Sequence, residues 1–165
     1  MLWEVDIYPA SGQADREASE VAADAADLGF SGLEIATSRG YLLEGELHPE
    51  DVRKIADQLL VDPVVERTVV APVGSAELNQ PPRKDLQPLH VLRKPGVMDP
   101  VAQSAMSAIA DLQTNVSAIR TLKKYWLPKL DDQEIQRLAS KILANDAIEQ
   151  VVSGPLHFKQ LQLGT

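Results

Sequence analysis

The sequence predicts an α+β fold made of two similar units, each running strand-helix-strand-helix-strand. The units pair inside one chain as a pseudo-dimer, with an antiparallel sheet and helices packed on it. Three observations lead there. Sliding the chain by 84 residues brings Gly12 onto Gly96, Asp15 onto Asp99, Ala18 onto Ala102, Thr37 onto Thr121, Tyr41 onto Tyr125 and Leu43 onto Leu127; past residue 131 the offset becomes 83, and Ala56 meets Ala139 and Glu66 meets Glu149. Apolar residues at 52, 55, 56, 59 and 60 recur at 135, 138, 139, 142 and 143, each set forming one helix face. A unit this short has a thin core and unpaired strand edges, which a second unit can cover.

The elements follow in order. Residues 2–8 alternate and suit a strand. Asp15 is placed to cap a helix ending near Leu28, with Glu17 and Glu20 favourably near its N-terminus and Gly29 and Gly32 beyond its end. The small face of that helix (Ala18, Val21, Ala22, Ala25) allows close approach to a sheet. Residues 33–47 read as an extended segment bent at Gly40. Pro49 opens the second helix, Pro63 ends it, and a last strand follows. The second unit places a strand near 89–93, a helix near 99–112, an extended segment near 117–127, a helix near 131–144 and a strand near 147–152. The expected organisation is thus unit one at 1–70, a Pro-rich polar linker at 71–88, unit two at 89–153, and a tail at 154–165 that could lead into a further domain.

Composition narrows the function. The chain has no cysteine, which excludes disulfides and thiolate metal sites and favours a reducing, cytoplasmic setting. The start reads as neither signal peptide nor membrane span. A net charge of −8 argues against nucleic acid as a partner. The charge is uneven: residues 1–70 carry 5 basic against 15 acidic side chains, whereas residues 89–165 carry 9 against 7. The two halves are therefore expected to face different neighbours.

Sequence motifs assign no catalytic residue. His48, His90 and His157 are not at metal-ligand spacing, and no phosphate-binding glycine loop or serine elbow is present. Neither a metal nor a bound cofactor is expected in this chain. The basic-aromatic cluster Arg120, Lys123, Lys124 and Tyr125 admits two readings: a contact for an anion or an acidic partner, or a strand with exposed lysines and an anchored aromatic pair. In RKPGVMDP, Pro95-Gly96 suits a turn, Asp99 caps the next helix, and Pro100 fits its first position. Gly12 and Asp15 hold the same places in unit one, so the stretch reads as a strand-to-helix joint.

The segments KPGVMDPVAQSAMSAIADL, IRTLKKYWLPKL and ILANDAIEQVVS, in that order, resemble the PurS family. Unit one keeps a worn version in ASGQADREASEVAADAADLG, RGYLLEGEL and LLVDPVVE. It lacks the Lys-Pro of the turn, and the family's Gly-Lys before tyrosine reads Lys123-Lys124 in one unit and Arg39-Gly40 in the other. A tandem arrangement also resembles the N-terminal region of large PurL-type formylglycinamidine ribonucleotide synthetases. The resemblance implies a noncatalytic part of phosphoribosylformylglycinamidine synthase in purine biosynthesis. Its role there would be to bridge the synthetase (PurL-type) and the glutaminase (PurQ-type), with ATP and Mg held by the synthetase partner. A regulatory module binding a metabolite between its two α/β units is the alternative.

Overall fold

The structure is a computed structural model, and it describes residues 1–161. The first half contains β1 (Leu2–Pro9), α1 (Arg16–Asp27), β2 (Ala36–Gly45), α2 (Pro49–Ile55) and β3 (Glu66–Pro72). The second contains β4 (Gln87–Arg93), α3 (Pro100–Ala110), β5 (Val116–Leu127), α4 (Asp132–Leu138) and β6 (Glu149–Ser153). Both α2 and α4 finish in a wider π turn, at Ala56–Leu60 and Ala139–Leu143. The six strands form one antiparallel sheet in the order β3-β1-β2-β5-β4-β6. The halves meet along β2 and β5, whose register runs from Ala36↔Trp126 to Glu44↔Ala118. The expected bend at Gly40 does not occur. Gly40 sits in continuous pairing with Asp6 on one side and Leu122 on the other, and the register shifts instead between Glu44 and Gly45.

Each strand-to-helix corner is built the same way. In the second half, Val97 N–H donates to the Lys94 carbonyl across Pro95-Gly96, and Gly96 takes a φ of 83° that a side chain would disfavour. In the first half, Gln13 N–H donates to the Ala10 carbonyl, and Gly12 has a φ of 84°. Asp99 then caps α3, accepting from Ala102 N–H at 3.1 Å, and also accepts from Thr121 N–H at 2.8 Å. Asp15 caps α1 through Ala18 N–H at 3.0 Å and accepts from Thr37 N–H at 2.8 Å. Both threonine hydroxyls donate to the same carboxylates. One aspartate per half therefore supplies the helix cap and ties it to the long strand.

The helices cross between the halves. Ala102, Ala105 and Ile109 of α3 pack in one cluster with Trp3, Val5 and Ile7 of β1 and with Val52 and Ile55 of α2. Ala18, Val21 and Ala25 of α1 pack with Leu89 and Val91 of β4, Tyr125 and Leu127 of β5, and Leu138 of α4. Small alanines let each helix lie close to the sheet, α3 along its own β5, while its side chains pack into a cluster shared with the opposite half. Both cores occupy the same face of the sheet, as the alternation of Trp3, Val5 and Ile7 requires.

The other face is covered by the segments outside the two units. Leu86 packs with Tyr8, Ala36 and Trp126, and Leu156 packs with Leu2, Leu42, Leu92 and Leu122. Residues 73–86, expected to be a tether, lie against the sheet with Leu78 and Leu86 buried and a 3₁₀ turn at Ala76–Asn79. Of the expected tail, residues 162–165 lie outside the described residues.

Asp99 is almost fully buried, whereas Asp15 keeps partial access to water. Asp99→Ala removes a cap worth about 1 kcal/mol and strands Thr121, at a cost of roughly another 1–2 kcal/mol. Both aspartates cap and tie, so the difference between them is burial: urea unfolding is expected to show a larger loss for Asp99→Ala than for Asp15→Ala, and equal losses would show that burial of the carboxylate does not set the cost.

Candidate functional site

The centre of the sheet carries the densest set of ionisable groups, and strand alternation divides it between two faces. On the helix face, Arg39 of β2 stands directly opposite Lys123 of β5. Arg39 donates through both terminal nitrogens to Glu66, which is drawn below the usual carboxylate range mainly by that bond. Lys123 lies 3.4 Å from Glu17, with both side chains about half exposed. Tyr125 donates its hydroxyl to the same carboxylate at 3.3 Å, and burial pushes its phenol above the ordinary value.

Lys124 points the other way and is completely buried. Its ammonium donates to Asp6 Oδ2 at 2.7 Å, Glu4 Oε2 at 3.3 Å and the Leu78 carbonyl at 2.6 Å. All three donors are thus used. The charge also lies 5.3 Å from the centre of the Trp126 ring. Burial pulls the lysine down, but Asp6 and Glu4 hold it above its usual value. Beside this cluster, a Cβ at Gly40 would come within 2.9 Å of the Val5 carbonyl and 3.1 Å of Asp6 Oδ1 and of the Leu122 side chain, so only glycine fits there without displacing them.

One cation cannot balance two buried carboxylates. Burial, reinforced by Asp6, raises Glu4 to about 9, so Glu4 carries a proton at neutral pH. That proton gives Glu4 a donor to offer Asp6, whose Oδ1 otherwise has no partner. His90, paired with Lys124 across β4 and β5, is lowered to about 4 by burial and by the lysine charge, and is neutral. A buried set of one cation, one anion and two neutral groups results.

The four candidate contact residues are therefore not one patch. Lys123 and Tyr125 lie on the helix face. Lys124 is interior, and Arg120, on its side of the strand, donates to the Val97 carbonyl at 2.8 Å. Glu4 and Asp6 were not singled out from the sequence, and His90 was noted only as lacking metal-ligand spacing. The available signal was their shared parity: Glu4 and Asp6 alternate with Trp3, Val5 and Ile7, so they had to share one face of β1. Among the described residues, no group of three or more His, Asp and Glu side chains is placed to hold a metal ion, and no helix is long and apolar enough to cross a membrane.

A carboxyl raised on folding stabilises most below its unfolded value, and that contribution is lost as pH rises through the folded one. For Glu4 this window runs from 4.5 to about 9. A glutamine amide can donate to Asp6 as the protonated acid does, without titrating. Glu4→Gln is therefore expected to flatten the decline in stability between neutral pH and pH 9, measured by denaturant unfolding at fixed salt. A variant whose stability falls with pH as steeply as the parent would show that Glu4 is already ionised.

No curated protein matches the chain. A family model does match its second half, from the strand β4 through β6. Residues 88–153, which contain the Pro95-Gly96 corner, the Asp99 cap and Lys124, are similar to PurS, described as phosphoribosylformylglycinamidine (FGAM) synthase.

Proposed function

We propose that the chain is a noncatalytic, PurS-like component of FGAM synthase in purine biosynthesis, bridging the synthetase (PurL-type) and glutaminase (PurQ-type) parts of that enzyme. The observation that carries the reading is the family match over 88–153, which spans the whole second half of the sheet and its helices. Its setting is the cytoplasm, and ATP and Mg belong to the synthetase partner.

The arrangement of the halves supports a bridging part. The 84-residue offset places Arg39 on Lys123, and these two residues face each other in the β2–β5 register. A local twofold relation between the halves would require such a pairing, so we read the chain as an intrachain pseudo-dimer with units at 1–70 and 89–153. Exchange of α1 and α3 joins the units into one body. Their charges differ, at −10 for residues 1–70 and +2 for residues 89–165. One body with two dissimilar ends suits two different partners. The central ionisable groups support a structural rather than chemical role, since Lys124, Asp6 and Glu4 are sealed from water and bonded to one another.

Co-purification is the direct test. The tagged chain is expected to retain a PurL-type synthetase and a PurQ-type glutaminase together, and to be required for glutamine-dependent FGAM formation. Ammonia should restore turnover in its absence, because the synthetase chemistry lies elsewhere. A chain that holds neither protein and whose omission leaves glutamine-dependent turnover unchanged would overturn the proposal.

A further inference from the structure

Beside the Arg39–Lys123 pair, the helix face carries a hollow of about 360 Å³. Its floor is formed by β2, β5 and β4, with Glu149 of β6 at the rim and the first turn of α3 as one wall. Two cross-strand rows set the chemistry. One holds Arg39, Lys123 and Val91; the other holds Tyr41 and Thr121, with Arg93 following on β4 opposite Glu149. Three cations and one carboxylate thus line a cleft whose apolar walls are Val91, Val101 and the Tyr41 ring. The size and the mixture, a mainly apolar wall with a few converging polar groups, are those of small-ligand clefts of roughly 300–1,000 Å³.

A twin hollow on the other side of the same pair shows what is special here. It is lined by Thr37, Arg39 and Glu66, as the first is by Thr121, Lys123 and Glu149. Three differences change the charge. Pro9, at the end of β1, stands where Arg93 ends β4. Glu17, two residues after the cap of α1, stands where Val101 follows the cap of α3. Arg16 of the twin is replaced by Pro100. The second hollow thus carries its extra cation on the sheet floor and lacks the carboxylate on the helix wall. Arg93 makes no ion pair among the described residues. Val101 is more than half exposed although it is apolar, so it offers uncovered apolar wall beside the cations.

We propose that this hollow binds a small organic phosphate monoester, its oxyanion held by Arg93 and Lys123 and its apolar body against Val101 and Tyr41. A phosphate monoester carries close to two negative charges at neutral pH and accepts the fork of a guanidinium in two bonds. Arg39 is already held by Glu66, so the two charges are met by Arg93 and Lys123. The Lys123–Glu17 contact is a half-exposed ion pair of little intrinsic worth, so the lysine can turn to a bound anion at small cost. This site is independent of whether the chain assembles with a synthetase.

The test is isothermal titration of the intact chain with phenyl phosphate at low salt, beside inorganic phosphate and succinate. Phenyl phosphate should bind saturably at one site and more tightly than either comparison ligand. Arg93→Gln should weaken it roughly tenfold by removing one charged fork. Val101→Glu, which restores the carboxylate of the twin hollow, should weaken it at least as much. Glu17→Gln, which releases Lys123, should bind no more weakly than the parent. All three positions are at least partly exposed, and unchanged thermal unfolding would show that the variants fold. Absence of saturable binding, or parental affinity in both Arg93→Gln and Val101→Glu, would overturn the site. Equal binding of inorganic phosphate would overturn the role of the apolar wall, and tighter binding of succinate would overturn the phosphate assignment.

Discussion

The pairing of β2 with β5 is the constraint on which the rest of the structure depends. It is the central seam of the sheet, and it brings the first helix of each half into a core shared with the other. Alanines at 18 and 25 in α1 and at 102 and 105 in α3 let those helices lie close to the sheet. Separating the halves would expose two strand edges and strip both cores of a helix at once. Neither half keeps a complete core alone, so unfolding should be cooperative across both.

The seam also explains why adjacent lysines have opposite fates. Lys123 and Lys124 follow one another on β5, so they leave the strand on opposite faces. The first meets water, Glu17 and the space between α1 and α3. The second enters the interior, where an ammonium without partners would be prohibitively costly. Its three bonds reach β1 and the 73–86 segment, so one side chain joins both halves and the cover over the second face. Such a buried network need not add stability over a well-packed apolar equivalent. It does set position, because the lysine is satisfied only when β1, β5 and the covering segment lie in this arrangement.

Much of the fold was legible because it rests on local rules. The Gly96 turn, the Asp99 cap and Pro100 at the first helical position are read within a few residues, as are Gly12 and Asp15. The period of α2 and α4 was also visible, although their π-helical last turns were not. Three features escaped because they depend on what lies across the sheet. Gly40 looked like a bend, but it sits in straight pairing where a Cβ would press on the Val5 carbonyl, Asp6 and Leu122. The Pro-rich 71–88 segment looked like a tether, yet Leu78 and Leu86 are buried on the second face. Nor could the sequence alone say whether Lys124 is covered. Alternation shows that Lys123 and Lys124 part, but not which side the helices take.

The ion cluster sets the two halves apart. The 84-residue offset matches Lys124 with Gly40 and His90 with Asp6. Where one half has a lysine the other has no side chain, and where one has a carboxylate the other has a neutral imidazole. A pair of identical first halves would have the acids and the gap but no cation. A pair of identical second halves would bring two lysines to the seam with no acid to receive them. The lysine of one half is satisfied by the carboxylates of the other, so the network requires both kinds of half at once. By contrast Asp15 and Asp99, Thr37 and Thr121, and Gly12 and Gly96 are matched, because each corner is completed within its own half. Agreement at the corners and divergence at the ion cluster follow from what each completes: a corner is closed inside one half, whereas the cluster draws its cation from one half and its acids from the other.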